Sequence, residues 1–299
     1  MKISILFPVY KPAYSQLMAA IESIRNQTHI NFECLFLYDA PSKEVTDLLS
    51  YFVNDDSRFR IIRAADKGLA HALNMGLEIS DGEFVARMDA DDISLPNRFK
   101  QQLQLINDSN LDVVGGDYYV IDNLGNTVDV RLVPKDHSQI GVVMAKTVPF
   151  AHSSVMIRRK AMDSFNLKYS CDKKIIAEDY ELWTKMYLKG LKFGNVSDWV
   201  LKFRDSDTSL NKRVHSMSLK SASRISYDFI SSNINVLNSY CCDLQPHRLD
   251  RLNQEALAYL IFNLAFRHYQ FNQLKNLKKI TMRNKIIAAL AFLNHCFTS

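Results

Sequence analysis

Phe84-Val85-Ala86-Arg87-Met88-Asp89-Ala90-Asp91-Asp92 opens as an apolar run of strand length and closes in three carboxylates within four positions. Acids crowded at the carboxyl end of a strand repel one another unless a cation neutralises them. Two carboxylates spaced as Asp-x-Asp can hold a hard divalent ion, which prefers oxygen ligands and keeps positions open for phosphate oxygens. The same triplet also reads as a solvated acidic turn that caps the next helix, and by itself it does not decide between the two.

The stretches around it give the fold class. Upstream, Ile3-Ser4-Ile5-Leu6-Phe7-Pro8-Val9 reads as a first strand and Phe32 to Tyr38 as a second. Arg60 to Arg63 reads as a short third strand, with helices expected over 15–27, 44–52 and 69–79. Asp81-Gly82 makes a tight turn into the central strand. Strand–helix alternation over a hundred residues predicts an α/β, Rossmann-like fold with a mostly parallel central sheet flanked by helices. Ligands of such sheets sit at the carboxyl ends of the strands, so Asp39 and Asp89 are expected to face one crevice. Downstream, a helix starting at Asp92 is expected to run to about Asn107. Strands follow at 113–116, 152–158, 192–196 and 200–204, with a hairpin about Asn123-Leu124-Gly125-Asn126, and helices near 138–145, 161–165 and 180–189.

The chain has 299 residues, 47% hydrophobic and 23% charged, as expected for a globular protein with a sizeable core. Met1-Lys2 leads straight into a strand, so no secretory leader is expected, and no apolar run approaches bilayer length. Five cysteines without metal spacing fit free thiols in a reducing cytoplasm. The charge is uneven. Residues 211–299 carry 12 Lys/Arg against 4 Asp/Glu, a balance of +8, while residues 1–210 carry 25 against 28, a balance of −3. A basic carboxyl-terminal region, helical to the end, suggests a surface partner there. The expected division is therefore 1–210 and 211–299.

Taken together, these residues resemble glycosyltransferase family 2, the inverting GT-A transferases, and within it the bacterial enzymes of O-antigen and capsule polysaccharide synthesis. The resemblance rests on Ser4–Tyr10, Ile21–Thr28, Lys67–Gly76, Gly82–Asp92, Leu95–Arg98 and Ala177–Trp183, in the family's order, and covers residues 1–210. One departure stands out. The family's Asp-Asp-Gly-Ser after the second strand is here Tyr38-Asp39-Ala40-Pro41-Ser42, with a single acid and a proline that removes a backbone donor.

The resemblance implies a GT-A domain that binds a UDP-sugar. Asp39 would accept a hydrogen bond from uracil, with Pro8 and Tyr10 lining the base pocket. Arg63 and Asp66 read equally as contacts to base or ribose and as surface charge. Asp89 would touch ribose and metal, Ala90 would line the nucleotide-sugar site, and Asp91 would be the firmer ligand of Mn²⁺ or Mg²⁺. Asp92 would cap the following helix. Arg87, two residues before Asp89 and on the same face, would neutralise the acids or reach the nucleotide. His152 would lie near a sugar, and Arg204 would hold the diphosphate. Asp179, at a helix start where the dipole favours a carboxylate, would be the general base, with Glu178 the alternative. Trp183 would offer a stacking surface to the acceptor or pack in the core.

A single base and a metal-assisted leaving group imply in-line displacement with inversion. The implied acceptor is a saccharide linked to a lipid diphosphate. Residues 273–296 carry Lys275, Lys278, Lys279, Arg283 and Lys285 beside Ile280, Ile286, Ile287, Leu290 and Leu293 with no acid. That pattern suits either an anionic membrane surface or a helix packed on the catalytic domain. The expected location is the cytoplasm, peripheral on the inner face of the bacterial cytoplasmic membrane. Nucleic acid is not expected as a partner, because basic and aromatic residues do not interleave. A nucleotidyltransferase is a weaker reading, since Pro8-Val9-Tyr10-Lys11-Pro12 contains no glycine-rich phosphate loop. A catalytically inactive nucleotide-binding scaffold is a second, opposed by the intact acids.

Overall fold

The computed structural model describes residues 1–38, 42–64, 67–205, 215–243, 251–264 and 285. The chain divides into two compact units. One comprises 1–133, 150–171 and 191–209; the other comprises 134–149, 172–190 and 210–299. The second unit thus takes two segments from within the first 210 residues, where a contiguous carboxyl-terminal region was expected.

The first unit is built on one mixed sheet, with nine strands among the described residues. They are β1 (Ile3–Val9), β2 (Phe32–Tyr38), β3 (Phe59–Arg63), β4 (Phe84–Arg87), β5 (Ile93–Ser94), β6 (Val113–Ile121), β7 (Thr127–Arg131), β8 (Met156–Arg158) and β9 (Phe193–Arg204). The order is β3-β2-β1-β4-β8-β6-β9-β5, and β7 pairs with β6. The half β3-β2-β1-β4 is parallel throughout. β8 enters antiparallel to both β4 and β6, while β6 and β9 run parallel. The sheet is therefore mixed: two parallel stretches, β3-β2-β1-β4 and β6-β9, are joined through the antiparallel β8. A short antiparallel strand leaves no periodicity of its own, which is why the sequence pointed to a mostly parallel sheet.

β1 reads as a continuous apolar run because both faces are covered, as in interior strands of parallel sheets: Ile3, Ile5, Leu6 and Phe7 are all at most 1% exposed. The helices of this unit are α1 (Tyr14–Arg25), α2 (Lys43–Asp55), α3 (Leu69–Ile79), α4 (Arg98–Asp108) and α6 (Arg159–Ser164). Each buries one stripe at helical spacing: Leu17, Ala20, Ile21 and Ile24 from α1, and Val45, Leu48, Leu49 and Phe52 from α2. Ser42 starts α2 by accepting the Val45 N–H. Phe7, Phe36 and Phe59 join the layers, Phe7 edge-on to Phe36 and Phe36 stacked on Phe59.

Two local features fix the approach to the central strand. Gly82 passes so close to β1 that a Cβ on it would lie 2.5 Å from the Ser4 nitrogen. Buried Glu33 gathers the Ser4 hydroxyl, the Asp81 N–H and the Arg60 guanidinium. The expected hairpin is present: Asp122 accepts from the N–H groups of Leu124 and Asn126, and Gly125 supplies the positive φ. The two closing strands expected at 192–196 and 200–204 are one bulged strand, β9, whose register against β6 slips at Gly116/Asp117 and again at Asp117/Tyr118.

The second unit is helical: α5 (His137–Met144), α7 (Glu178–Leu188), α8 (His215–Ser232), α9 (Ile234–Asp243) and α10 (Arg251–Phe262). Tyr180 and Tyr187 of α7 donate to the carbonyls of Met144 and His137, and the rings of His137 and Tyr187 stack at 4.3 Å. Ser226 of α8 donates to the Ala145 carbonyl, and Lys146 pairs with Glu255 of α10. Among the described residues no helix is long and apolar enough to cross a membrane. The basic segment 273–296 lies, apart from Lys285, outside the described residues.

Candidate active site

The parallel strands deliver their carboxyl ends to one edge of the first unit. Val9 pairs with Tyr38 and Tyr38 with Arg63, while Leu6 pairs with Arg87 and accepts the Met88 N–H. β8 runs the other way, so its amino-terminal end, preceded by a 3₁₀ turn at His152–Ser154, arrives at the same edge. β9 is parallel to β6 and brings Arg204 level with Ile121. Pro8 is half-buried in β1, whereas Tyr10 (56% exposed) and Arg63 are open to solvent at this edge. Asp39 and Asp66 lie outside the described residues.

At the end of β4 the three acids converge. One carboxylate oxygen each of Asp89, Asp91 and Asp92 lie within 4.8 Å of one another. Their surroundings differ. Asp89 is half-exposed and ion-paired with Arg87, whose guanidinium is almost fully buried. Burial by itself would ease the Arg87 proton off, yet the neighbouring Asp89 raises its proton affinity above the ordinary guanidinium value. Asp91 is half-buried, and burial together with the Asp89 charge pushes its carboxyl up to about 6. Asp92 is 1% exposed and still more perturbed upward, chiefly by burial and then by Asp89 and Asp91.

Asp92 does not cap a helix, contrary to expectation. β5 intervenes, and α4 starts only at Arg98. Instead Asp92 accepts the Ser153 hydroxyl on one oxygen and the Arg204 N–H on the other. It ties the acidic loop to the 3₁₀ turn and to the end of β9. Arg204, expected over a diphosphate, is 6% exposed and donates to the carbonyls of Asp91 and Asp122. These contacts brace the loop from behind. His152 bonds the Tyr169 hydroxyl at 2.9 Å, and burial beside Arg87 holds its imidazole well below its ordinary value, so it is neutral. Asn74 in turn exchanges two hydrogen bonds with the Tyr169 backbone.

The largest element missed in the sequence lies beneath the acids. Arg98 is completely buried and donates to the carbonyls of Arg87 and Val155 and to Gln102. Gln102, also fully buried, donates to the Ser154 carbonyl at 2.7 Å. Together they bolt the end of β4 to the turn that carries Ser153. The available signal was the position of Arg98 and Gln102 on the inward stripe of a helix that also carries Phe99, Leu103 and Ile106.

Glu178 and Asp179 belong to the second unit, in the first turn of α7, both half-buried, with Asp179 accepting the Tyr180 N–H. Trp183 is completely buried in that unit. It therefore has no open face for a sugar to stack on, and of its two expected roles the structure gives core packing.

The donor set at β4 fits a hard divalent cation. All three side chains are carboxylates, and Asp91 holds its proton more tightly than usual because burial, and then the Asp89 charge, disfavour its anion, a cost that a bound cation would relieve. Asp92 has a donor on each oxygen and is buried, whereas Asp89 and Asp91 are the more open members of the cluster.

Comparisons with known proteins agree with this arrangement. The chain is 26% identical over 214 residues to the O-antigen biosynthesis glycosyltransferase WbnJ of Escherichia coli, covering 70% of this chain and 82% of WbnJ. Its fold resembles that of S. aureus TarS in complex with UDP-GlcNAc, with a TM-score of 0.60 at 15% identity, over 99% of this chain and 89% of TarS 1–349. It also resembles the mannosyltransferase PcManGT from Pyrobaculum calidifontis in complex with GDP-Man and Mn²⁺, with a TM-score of 0.59 at 12% identity, over 99% and 86% of the two chains. The profile of "Glycosyl transferase family 2" matches residues 4–165, more than half of the chain, from Ser4 in β1 to Phe165 just past α6. With its GT-A-type sheet and the acid cluster closing β4, this chain belongs to glycosyl transferase family 2.

Proposed function

We propose that the chain is a metal-dependent, inverting glycosyltransferase. It moves a sugar from a UDP-sugar to a hydroxyl of a lipid-diphosphate-linked saccharide during bacterial surface polysaccharide assembly, at the inner face of the cytoplasmic membrane. The observation that carries this reading is the carboxylate cluster of Asp89, Asp91 and Asp92 at the carboxyl end of β4, in a family 2 fold. The likeness to the O-antigen biosynthesis glycosyltransferase WbnJ and to TarS in complex with UDP-GlcNAc supports the polysaccharide setting and the uridine donor.

Asp91 and Asp89 would hold Mn²⁺ or Mg²⁺, which when bound supplies Lewis-acid stabilisation to the departing diphosphate. Asp39, Pro8 and Tyr10 would grip the uracil, with Arg63 and Asp66 at base or ribose, and Ala90 and His152 beside the sugar. Asp179 takes the proton from the acceptor hydroxyl as its oxygen bonds to the anomeric carbon; the bond from that carbon to the diphosphate breaks on the opposite face. Glu178 would hold the acceptor. One displacement inverts the anomeric centre, so an α-linked donor gives a β-linked product.

The test is UDP release by purified protein with Mn²⁺ across a panel of UDP-sugars, with and without a lipid-diphosphate GlcNAc or GalNAc acceptor. Acceptor-dependent release with one donor, lost in Asp91→Asn and in Asp179→Asn, is expected. Release that survives both substitutions would overturn the assigned roles.

A further inference from the structure

β7 is an edge strand: it pairs with β6 alone among the described residues, and all five of its residues are exposed. Its apolar side chains are not tucked away. Val128 is 61% exposed, Val130 45%, and Leu132, just past the strand, 52%. Natural edges are usually blunted by proline, a bulge or an inward-pointing charge, because open N–H and C=O groups template pairing with another chain. Here the one register shift with β6 falls at the turn end of the strand, where Val128 is the extra residue between Thr127 and Asp129, so the edge is regular from Asp129 onward. The Val130 N–H donates to the side chain of its own neighbour, Asp129, at 2.8 Å. An amide bonded in this way points out of the ladder, so Val130 presents its backbone to the open edge.

We propose that β7 is a docking strand for a second copy of this chain, paired antiparallel about a two-fold axis through Val130. That register is self-complementary. It sets Val130 against Val130, each outward amide exchanging its own Asp129 carboxylate for the facing carbonyl. It sets Asp129 against Arg131 twice by symmetry, with the exposed side chains of Val128 and Leu132 at the two ends of the contact. Within one chain Arg131 and Asp129 already form an ion pair at 2.6 Å, both about half exposed. In the pair the four charges alternate around the axis. Shifting the axis by one residue, to Asp129, would oppose the two Asp129 carboxylates, so the charges select one register. The two sheets then continue into one another by strand addition. The contact is smaller than a standard interface, so the dimer is reversible, with a dissociation constant on the order of 10–100 μM.

Sedimentation velocity of the full chain from about 1 to 300 μM, a range that brackets the expected constant, reads this directly. The sedimentation coefficient is expected to climb from monomer to dimer. Asp129→Arg and Arg131→Asp, each of which makes every facing pair like-charged, are expected to weaken association at least about tenfold. Mixing the two variants restores it, because the altered strands then meet with opposite charges. Val130→Pro removes the outward amide without touching the β6 ladder and abolishes the dimer. All three sites are exposed, and melting temperatures equal to the parent's verify folding. A monomer at every concentration overturns the proposal. So does a dimer indifferent to the charge reversals, or one that mixing fails to recover. Flotation of a strictly monomeric chain with phosphatidylglycerol vesicles, lost in Val128→Asp, would overturn it in favour of a lipid surface.

Discussion

Replacing Asp91 by Asn should make the metal-free protein more stable while disabling it. In the folded chain, burial and the Asp89 charge raise the Asp91 carboxyl from 3.8 to about 6. Between those values the folded state binds more protons than the unfolded state, so stability falls as pH rises through that window and the full penalty stands above it. At 1.36 kcal/mol per pH unit, the penalty at neutral pH is about 3 kcal/mol. Asn has the same shape and no charge. At pH 7.5 in EDTA, Asp91→Asn should therefore gain about 2–3 kcal/mol in urea unfolding, or roughly 5 °C in melting temperature. The difference between the two proteins should shrink to about 0.5 kcal/mol at pH 4, where the folded parent carboxyl is protonated but the unfolded one is about half ionised, and vanish below about pH 3. Removing the Asp91 charge also relieves Asp92, which that charge helps to push upward, so the difference reads the acid cluster and not Asp91 alone. Saturating Mn²⁺ should then restore the parent and leave the variant unchanged, by linkage to a site only the parent holds intact. A variant no more stable than the parent at pH 7.5, or a difference that does not vary between pH 4 and 7.5, would refute this picture of a charge cluster awaiting a cation.

Three further outcomes follow from the packing around the site. Arg98→Met should cost about 3–5 kcal/mol in urea unfolding, since it takes the Arg98 donor from the buried Arg87 carbonyl, leaves the Val155 carbonyl with the Arg87 N–H alone, and removes the bond to Gln102. Gly82→Ala should destabilise by about 2–4 kcal/mol, because the added methyl would lie 2.5 Å from backbone and 2.7 Å from the hydroxyl that accepts the Gly82 N–H; a melting curve checks it. Ser153→Ala removes a donor from the buried Asp92 carboxyl group and should cost about 1–2 kcal/mol, measured by urea unfolding.

The parts of the fold legible in the sequence were those with a period or a strong local signal. β1, β2 and β4 announced themselves as apolar runs stopped by turn residues, and the acid cluster was visible because charge at a strand end needs a reason. The β6–β7 hairpin followed from Asp122 through Asn126, whose turn chemistry is local. What stayed hidden depends on partners far apart in the chain. The Asp92 carboxylate looked like a helix cap until Ser153 and Arg204, 61 and 112 residues away, supplied its donors. Arg204 looked like a ligand-binding arginine for the same reason: nothing near it in sequence reveals the carbonyls of Asp91 and Asp122. Trp183 is a different case. Tyr180, Trp183 and Tyr187 form a stripe at helical spacing, and all three are buried, so the period pointed to packing while the preceding acids drew attention to the acceptor.

The central claim is that Asp91, with Asp89, binds a nucleotide diphosphate through a divalent cation, and calorimetric titration of UDP into the full chain tests it most directly. With Mn²⁺ present, saturable binding is predicted, falling more than about tenfold in EDTA and equally in Asp91→Asn, the loss of one charge-assisted ligand set being worth at least about 1.4 kcal/mol. Binding of equal strength with and without the metal, unchanged in Asp91→Asn, would contradict the account, as would no binding of UDP under any of these conditions.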